Sequence, residues 1–172
     1  MSDARRATAD DIAALHALIE TAYRGDSAKA GWTHEADLLG GQRTDAAALK
    51  AMIASDDQAI LLVGEGGVPT GCVHVTVKPD GLAYLGLLTV DPHRQAAGLG
   101  RRLLMAAEAE AHARKCERIE MTVIAQRPEL IAWYERRGYA LTGERRPFPL
   151  DDPRFGLPTT RDLVFEVLAK RL

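Results

Sequence analysis

Residues 90–104, "VDPHRQAAGLGRRLL", join a strand-like apolar segment to a helical one through Gln95, Ala96, Ala97, Gly98, Leu99 and Gly100. The first turn of a helix carries backbone N–H groups without intrahelical partners and a partial positive charge of about half a unit. Small residues there let an anion approach those donors, so this spacing offers a cradle for a phosphate or pyrophosphate. Arg94, Arg101 and Arg102 add positive charge at its rim. Two familiar nucleotide fingerprints do not fit. No Gly-Lys-Ser/Thr follows the turn, as a P-loop requires, and Leu103 stands where a dinucleotide fingerprint has its third glycine. On these residues alone, a glycine-assisted turn that holds no ligand stands beside the cradle.

Other chemistries are disfavoured. Cys72 and Cys116 are the two cysteines, with no CxxC pair and no histidine at metal-ligand spacing, which argues against a disulfide framework or a metal site and fits a reducing compartment. A net charge of −2 gives no reason to expect nucleic acid as a partner. The start "MSDARRATADD" lacks the apolar core of a signal peptide, and no apolar run is long enough to cross a membrane. A cytoplasmic protein is expected.

The elements that must position the turn are legible from periodicity. The 172 residues suit a single domain, 1–172, with no repeat or linker. Thr8 and Asp11 are spaced as a capping box before Ile12, Leu15, Ile19 and Ala22 at helical intervals, and "ARRA" before them suits a short edge strand. Residues 23–44 break the pattern and read as a long loop. A short helix is expected over Asp45 to Ala54, with Leu49, Met52 and Ile53 inward.

Strands "QAILLVGE", "TGCVHVTVK" and "LAYLGLLTV" follow, joined by the turns Gly66-Gly67 and Pro79-Asp80-Gly81, which favour antiparallel pairing. A helix from about Gly98 to Lys115 would bury Leu99, Leu103, Ala106, Ala109 and Ala113, with Glu110 and Arg114 paired on its wet side. "RIEMTVI" is the next strand, residues 128–137 a helix begun by Pro128 and capped by Gly138, and "YALTGE" and "DLVFEVL" the closing strands. The expected fold is α/β, a mixed, mostly antiparallel sheet flanked by helices, in the order β-α-α-β-β-β-α-β-α-β-β.

Val90-x-Pro92-x-x-Gln95-x-x-Gly98-x-Gly100, followed by an amphipathic helix, a strand and "LIAWYERRGY", resembles the GNAT superfamily of N-acetyltransferases. The resemblance covers residues 82–139 well and the whole chain loosely through element order; Arg5 to Asp11 resembles a common opening of the family. It implies a GNAT-like fold and direct transfer of an acetyl group from acetyl-CoA to a primary amine of a small molecule, without a metal. Gln95, Ala96, Ala97, Gly98, Leu99, Gly100 and Arg101 would then hold the pyrophosphate. N–H groups at Leu88 and Val90 would polarise the acyl carbonyl, and Tyr134 would give a proton to the departing thiolate. Packing beside Leu130 is the other role open to Tyr134.

Two positions depart from the family pattern. Tyr84 stands where many relatives carry a glutamate base, which leaves the base open among Glu20, His34, Glu35 and His74, each also explicable as a structural or surface group. Arg127 stands where the family often has asparagine, and a surface arginine ahead of a helix is its ordinary reading. The acceptor site is expected between the 23–44 segment and the closing loop around residues 145–162. There Trp32 could pack on substrate, Arg24 and Arg43 suit a carboxylate, and Asp26, Glu35 and Asp37 suit a second ammonium. Charge alone does not choose between these acceptors. The alternatives are a protein N-terminal or lysine acetyltransferase, or a GNAT-fold module that binds acyl-CoA without turnover. The closing strands also offer an edge for a homodimer, as in relatives.

Overall fold

The computed structural model describes residues 3–24, 39–40, 43–151 and 157–172. Strand β1 (Arg5–Arg6) leads through a single 3₁₀ turn into helix α1 (Ile12–Tyr23). The Thr8–Asp11 spacing works as expected: the Thr8 N–H donates to the Asp11 carboxylate at 2.8 Å. Arg5 donates to both oxygens of the same carboxylate, at 2.8 and 2.9 Å, which ties the edge strand to the helix start. Helix α2 (Ala46–Ala54) is capped by Asp45, which accepts the Ala48 N–H at 2.7 Å.

Strands β3 (Gln58–Glu65), β4 (Val68–Val77) and β5 (Leu82–Val90) form an antiparallel meander. Helix α3 (Leu99–Ala113), strand β6 (Arg118–Ile124), helix α4 (Pro128–Glu135) and strands β7 (Ala140–Pro147) and β9 (Val164–Arg171) complete a seven-stranded sheet in the order β1-β3-β4-β5-β6-β9-β7. Its one parallel pair is β5–β6. The sheet is therefore mixed and mostly antiparallel, as expected.

Because side chains alternate along a strand, each strand feeds two cores. One face places Ile60, Leu62, Cys72 and Leu87 under Leu15, Leu18 and Ile19 of α1 and Leu49 of α2. The other places Leu61, Val63, Val73, Val75, Ala83 and Leu85 under α3, with Tyr134 of α4 in the same cluster. Gly71 permits the close seating of α3, since a methyl group there would meet Leu103 Cδ1 at 2.8 Å and the Thr89 carbonyl oxygen at 3.0 Å.

Some expectations change. The buried stripe of α3 is Leu99, Leu103, Leu104, Ala107 and Ala111, while Ala109 and Ala113 are exposed and Ala106 is half-buried. At 3.6 residues per turn a four-residue step advances about 40° and a three-residue step falls back about 60°, so the steps to Ala106 and Ala109 leave the face on which Leu103, Leu104, Ala107 and Ala111 lie. A 3₁₀ turn, Pro92–Ala97, precedes α3, so the helix starts one residue after Gly98. Two short strands were not foreseen: β2 (Leu39–Gly40) pairs antiparallel with β8 (Leu157–Pro158). Two-residue strands carry no period to read in a sequence. The expected Glu110–Arg114 pair is present at 2.7 Å.

Candidate active site

The site originates in a fork. β5 and β6 pair over three positions, Leu82 with Arg118, Ala83 with Ile119 and Tyr84 with Glu120, and then separate. Beyond the fork β5 stays with β4 as far as Val90, and β6 stays with β9 as far as Ile124. The Tyr84 hydroxyl lies 2.7 Å from Thr122 Oγ1 across the opening. On β5 the ladder carries a bulge: Leu87 and Leu88 together oppose Val73, and Leu87 takes φ +48°. The Asp91 N–H donates to Thr70 O at 2.9 Å, so by the alternation of the ladder Val90 turns its own N–H away from β4, to the side β6 has left.

A cavity of about 440 Å³ fills the fork and is lined by residues from both faces of the sheet. From the α3 and α4 face it is lined by Leu85, Met121, Val123, Leu130 and Tyr134, and from the α1 and α2 face by Tyr23, His74, Tyr84, Gly86 and Thr122 among others. This volume suits a small ligand.

Tyr134 is 4% exposed. Its ring packs edge-on against Trp133 at 5.0 Å and Tyr139 at 5.7 Å between centroids. Burial pushes its phenol above the usual tyrosine range, and the Tyr23 phenol adds to that shift. Tyr134 thus stays protonated at neutral pH, facing the cavity. Tyr23 reaches in from the other side, its hydroxyl donating to the Leu88 carbonyl at 2.5 Å. Sequence reasoning missed Tyr23, because a tyrosine ending an amphipathic helix looks like any other apolar position.

The glycine turn lies at the far end of β5. Gly98 has φ +73°, a conformation L side chains rarely adopt, and a methyl group there would meet nothing within 4 Å. Ala97 and Gly98 are exposed, while Leu99 is buried and anchors the helix. The first helical hydrogen bond runs from Arg102 N to Gly98 O at 3.2 Å, so the helix itself leaves the N–H groups of Leu99, Gly100 and Arg101 without acceptors. Gly100 faces inward, where a methyl would touch Trp133 at 3.4 Å and Val90 at 3.8 Å. The turn therefore connects through Trp133 to Tyr134. The side chains of Gln95 and Ala96 lie outside the described residues.

Of the sequence-predicted residues, Leu88 and Tyr134 line the cavity; Val90, which ends β5, and residues 97–101 of the turn are not among its lining residues. Arg127 corrects its expectation. It is 6% exposed and lines the cavity, because the short turn after Ile124 brings it under the fork rather than out to water. Arg24 and Arg43 also line the cavity, with the Arg43 guanidinium 5.1 Å from the centre of the Tyr23 ring. Glu20 acts structurally, its Oε1 accepting the N–H groups of Arg43 and Thr44 at 2.6 and 2.9 Å. Asp26, Trp32, His34, Glu35 and Asp37 lie outside the described residues. No cluster of metal-ligating side chains occurs among the described residues.

Comparison with solved structures shows the same fold. A ribosomal-protein-S18-alanine N-acetyltransferase from Escherichia coli superposes with a TM-score of 0.72 at 18% identity, over 99% of this chain and 94% of that one. A ribosomal-protein-alanine N-acetyltransferase from Brucella melitensis gives 0.72 at 19% identity, over 98% and 99%. A spermidine N-acetyltransferase chimera from Vibrio cholerae and hSSAT gives 0.70 at 13% identity, over 99% and 96%. No curated protein matches the sequence. The model of the acetyltransferase (GNAT) family matches residues 14–139, a span that holds the fork, the glycine turn and Tyr134, and the chain belongs to that family.

Proposed function

We propose that the protein transfers an acetyl group from acetyl-CoA to a primary amine of a small molecule, by direct attack and in the cytoplasm. The observation that carries this reading is the cavity through the split sheet, with a protonated, buried Tyr134 on one face and room for an acceptor on the other. The donor's fit is supported by the turn at Gly98, which leaves open space beside helical N–H groups, and by the fork, where backbone N–H groups have lost their strand partner. Acetyl-CoA, when bound, supplies an activated acyl group on a thiol leaving group.

The chain's own residues then divide the work. Gln95 to Arg101 hold the pyrophosphate with backbone N–H groups and the helix dipole. The N–H groups of Leu88 and Val90 stabilise negative charge on the acyl oxygen. Tyr134 delivers its proton to the sulfur as the C–S bond breaks. Tyr23 holds the Leu88 peptide in orientation through its carbonyl, and the bulge at Leu87 directs that peptide into the fork. Small acceptors are favoured because β2 and β8 pair with each other, tying the chain before α2 to the chain before β9, whereas a protein substrate calls for an open groove.

The test is CoA release measured with a thiol reagent, across amino acids, polyamines, aminoglycosides and short peptides. A small-amine hit is expected, with an acetyl-CoA-dependent rise in melting temperature. Turnover confined to peptides would replace the acceptor class. A thermal shift without any turnover would replace catalysis by acyl-CoA binding.

A further inference from the structure

The acyl-transfer reading accounts for the leaving group's proton and leaves the nucleophile's proton without a destination. An amine that bonds to the acyl carbon must shed one N–H proton to become an amide. Tyr134 stands on the α3 and α4 face of the fork, so the attacking amine comes from the α1 and α2 face. On that face, one register position from the bulge, is His74, which faces Gly86 directly across the β4–β5 pair.

His74 is 9% exposed and lines the cavity. Its Nε2 edge points away from the fork, toward Gln58 on β3, with Gln58 Oε1 at 2.8 Å and Thr76 Oγ1 at 3.5 Å. An amide oxygen only accepts, so Gln58 fixes the proton on Nε2 and leaves Nδ1 as the lone pair. Nδ1 points to β5, 3.7 Å from where a Cβ of residue 86 would lie. Because residue 86 is glycine, no side chain fills that space, which the Tyr84 ring borders at 3.8 Å. The described side-chain hydrogen bonds of His74 all involve Nε2.

We infer that His74 is a catalytic residue whose Nδ1 accepts the proton lost by the acceptor nitrogen as it bonds to the acyl carbon. This rests on the acyl-transfer reading above. The amine enters neutral; the N–C bond forms, its N–H proton passes to Nδ1, the C–S bond breaks, and the Tyr134 proton goes to sulfur. After the amide and thiol leave, the imidazolium returns a proton to water and Tyr134 regains one, which balances the reaction. Burial pushes the His74 imidazole down to about 4, against an opposing pull from Asp57, so His74 begins each cycle with its lone pair free. Among the described residues near the site, the carboxylates of Glu20 and Asp45 are engaged elsewhere, since Glu20 holds the Arg43–Thr44 backbone and Asp45 caps α2.

The test is steady-state kinetics on His74→Gln and His74→Ala with the best amine acceptor. Glutamine can keep a polar contact near Gln58 but has no group at Nδ1. Both variants should lose at least about 30-fold in kcat while acetyl-CoA affinity stays within about twofold of wild type. In His74→Ala, a series of substituted imidazoles should restore turnover, with rates rising with imidazole basicity. A purely structural histidine would give no such slope. Wild-type kcat in His74→Gln, or rescue independent of basicity, overturns this assignment alone. Absence of turnover in the wild-type protein across all acceptors overturns the acyl-transfer reading, and this assignment with it.

Discussion

Replacing Tyr134 by phenylalanine removes one oxygen and leaves the ring. The contacts with Trp133 and Tyr139, at 5.0 and 5.7 Å, involve ring carbons and persist. No described hydrogen bond depends on the hydroxyl, so stability should change by less than about 1 kcal/mol. Turnover should respond very differently. A positioned general acid contributes about 10² to 10⁴ in rate, which corresponds to about 2.7 to 5.4 kcal/mol of barrier. The raised phenol value does not weaken that expectation. Burial disfavours the phenolate, but it disfavours a thiolate expelled into the same cavity for the same reason, so proton transfer between them stays near balance. The assay is CoA release in steady state, with acetyl-CoA affinity measured by calorimetry and stability by urea unfolding. We expect kcat to fall at least about 100-fold, with affinity and stability nearly unchanged. A kcat within about threefold of wild type would refute the acid role and leave Tyr134 as packing.

Gly98→Glu should abolish acetyl-CoA binding in calorimetry. In the ligand-free protein the new side chain has room, so its cost there is the φ +73° strain, about 1–2 kcal/mol, while its carboxylate occupies the phosphate position; tight binding by a folded variant would remove the cradle. Leu103, fully buried, should cost about 2–5 kcal/mol on truncation to alanine in urea unfolding. Gly71→Ala should cost about 1–3 kcal/mol by overpacking on Leu103 and less in the Leu103→Ala background; strict additivity would contradict the 2.8 Å approach. Asp11, held down to about 2 chiefly by its hydrogen bonds from Arg5, has a folded value below its unfolded one near 3.8. Its stabilisation is therefore complete above about pH 4 and lost as pH falls toward 2, and Asp11→Asn should flatten the acid limb of unfolding stability over that window.

Local signals in the sequence determined a good deal. The strands and helices follow from period-2 and period-3.6 patterns, from Asp45 and Pro128 at helix starts, and from glycines at tight turns. The order of a glycine turn and a later Tyr134 pointed to the family, because both depend on short stretches of chain whose spacing is itself the signal. Three-dimensional relations were beyond that reach. That β5 and β6 part after Tyr84 depends on each strand following a different neighbour, β4 and β9, which no local pattern encodes. The same fork turned Arg127 from an expected surface residue into a cavity wall, and it set Tyr23 against Leu88 across 65 positions of chain. His74 was one of four bases open to the sequence. The tertiary structure separates two of them, giving Glu20 two backbone partners and setting His74 Nδ1 beside the space that Gly86 leaves, while His34 and Glu35 lie outside the described residues. Residue type and spacing name the groups able to do the chemistry; the packing of distant segments decides which of them face one another across the cavity.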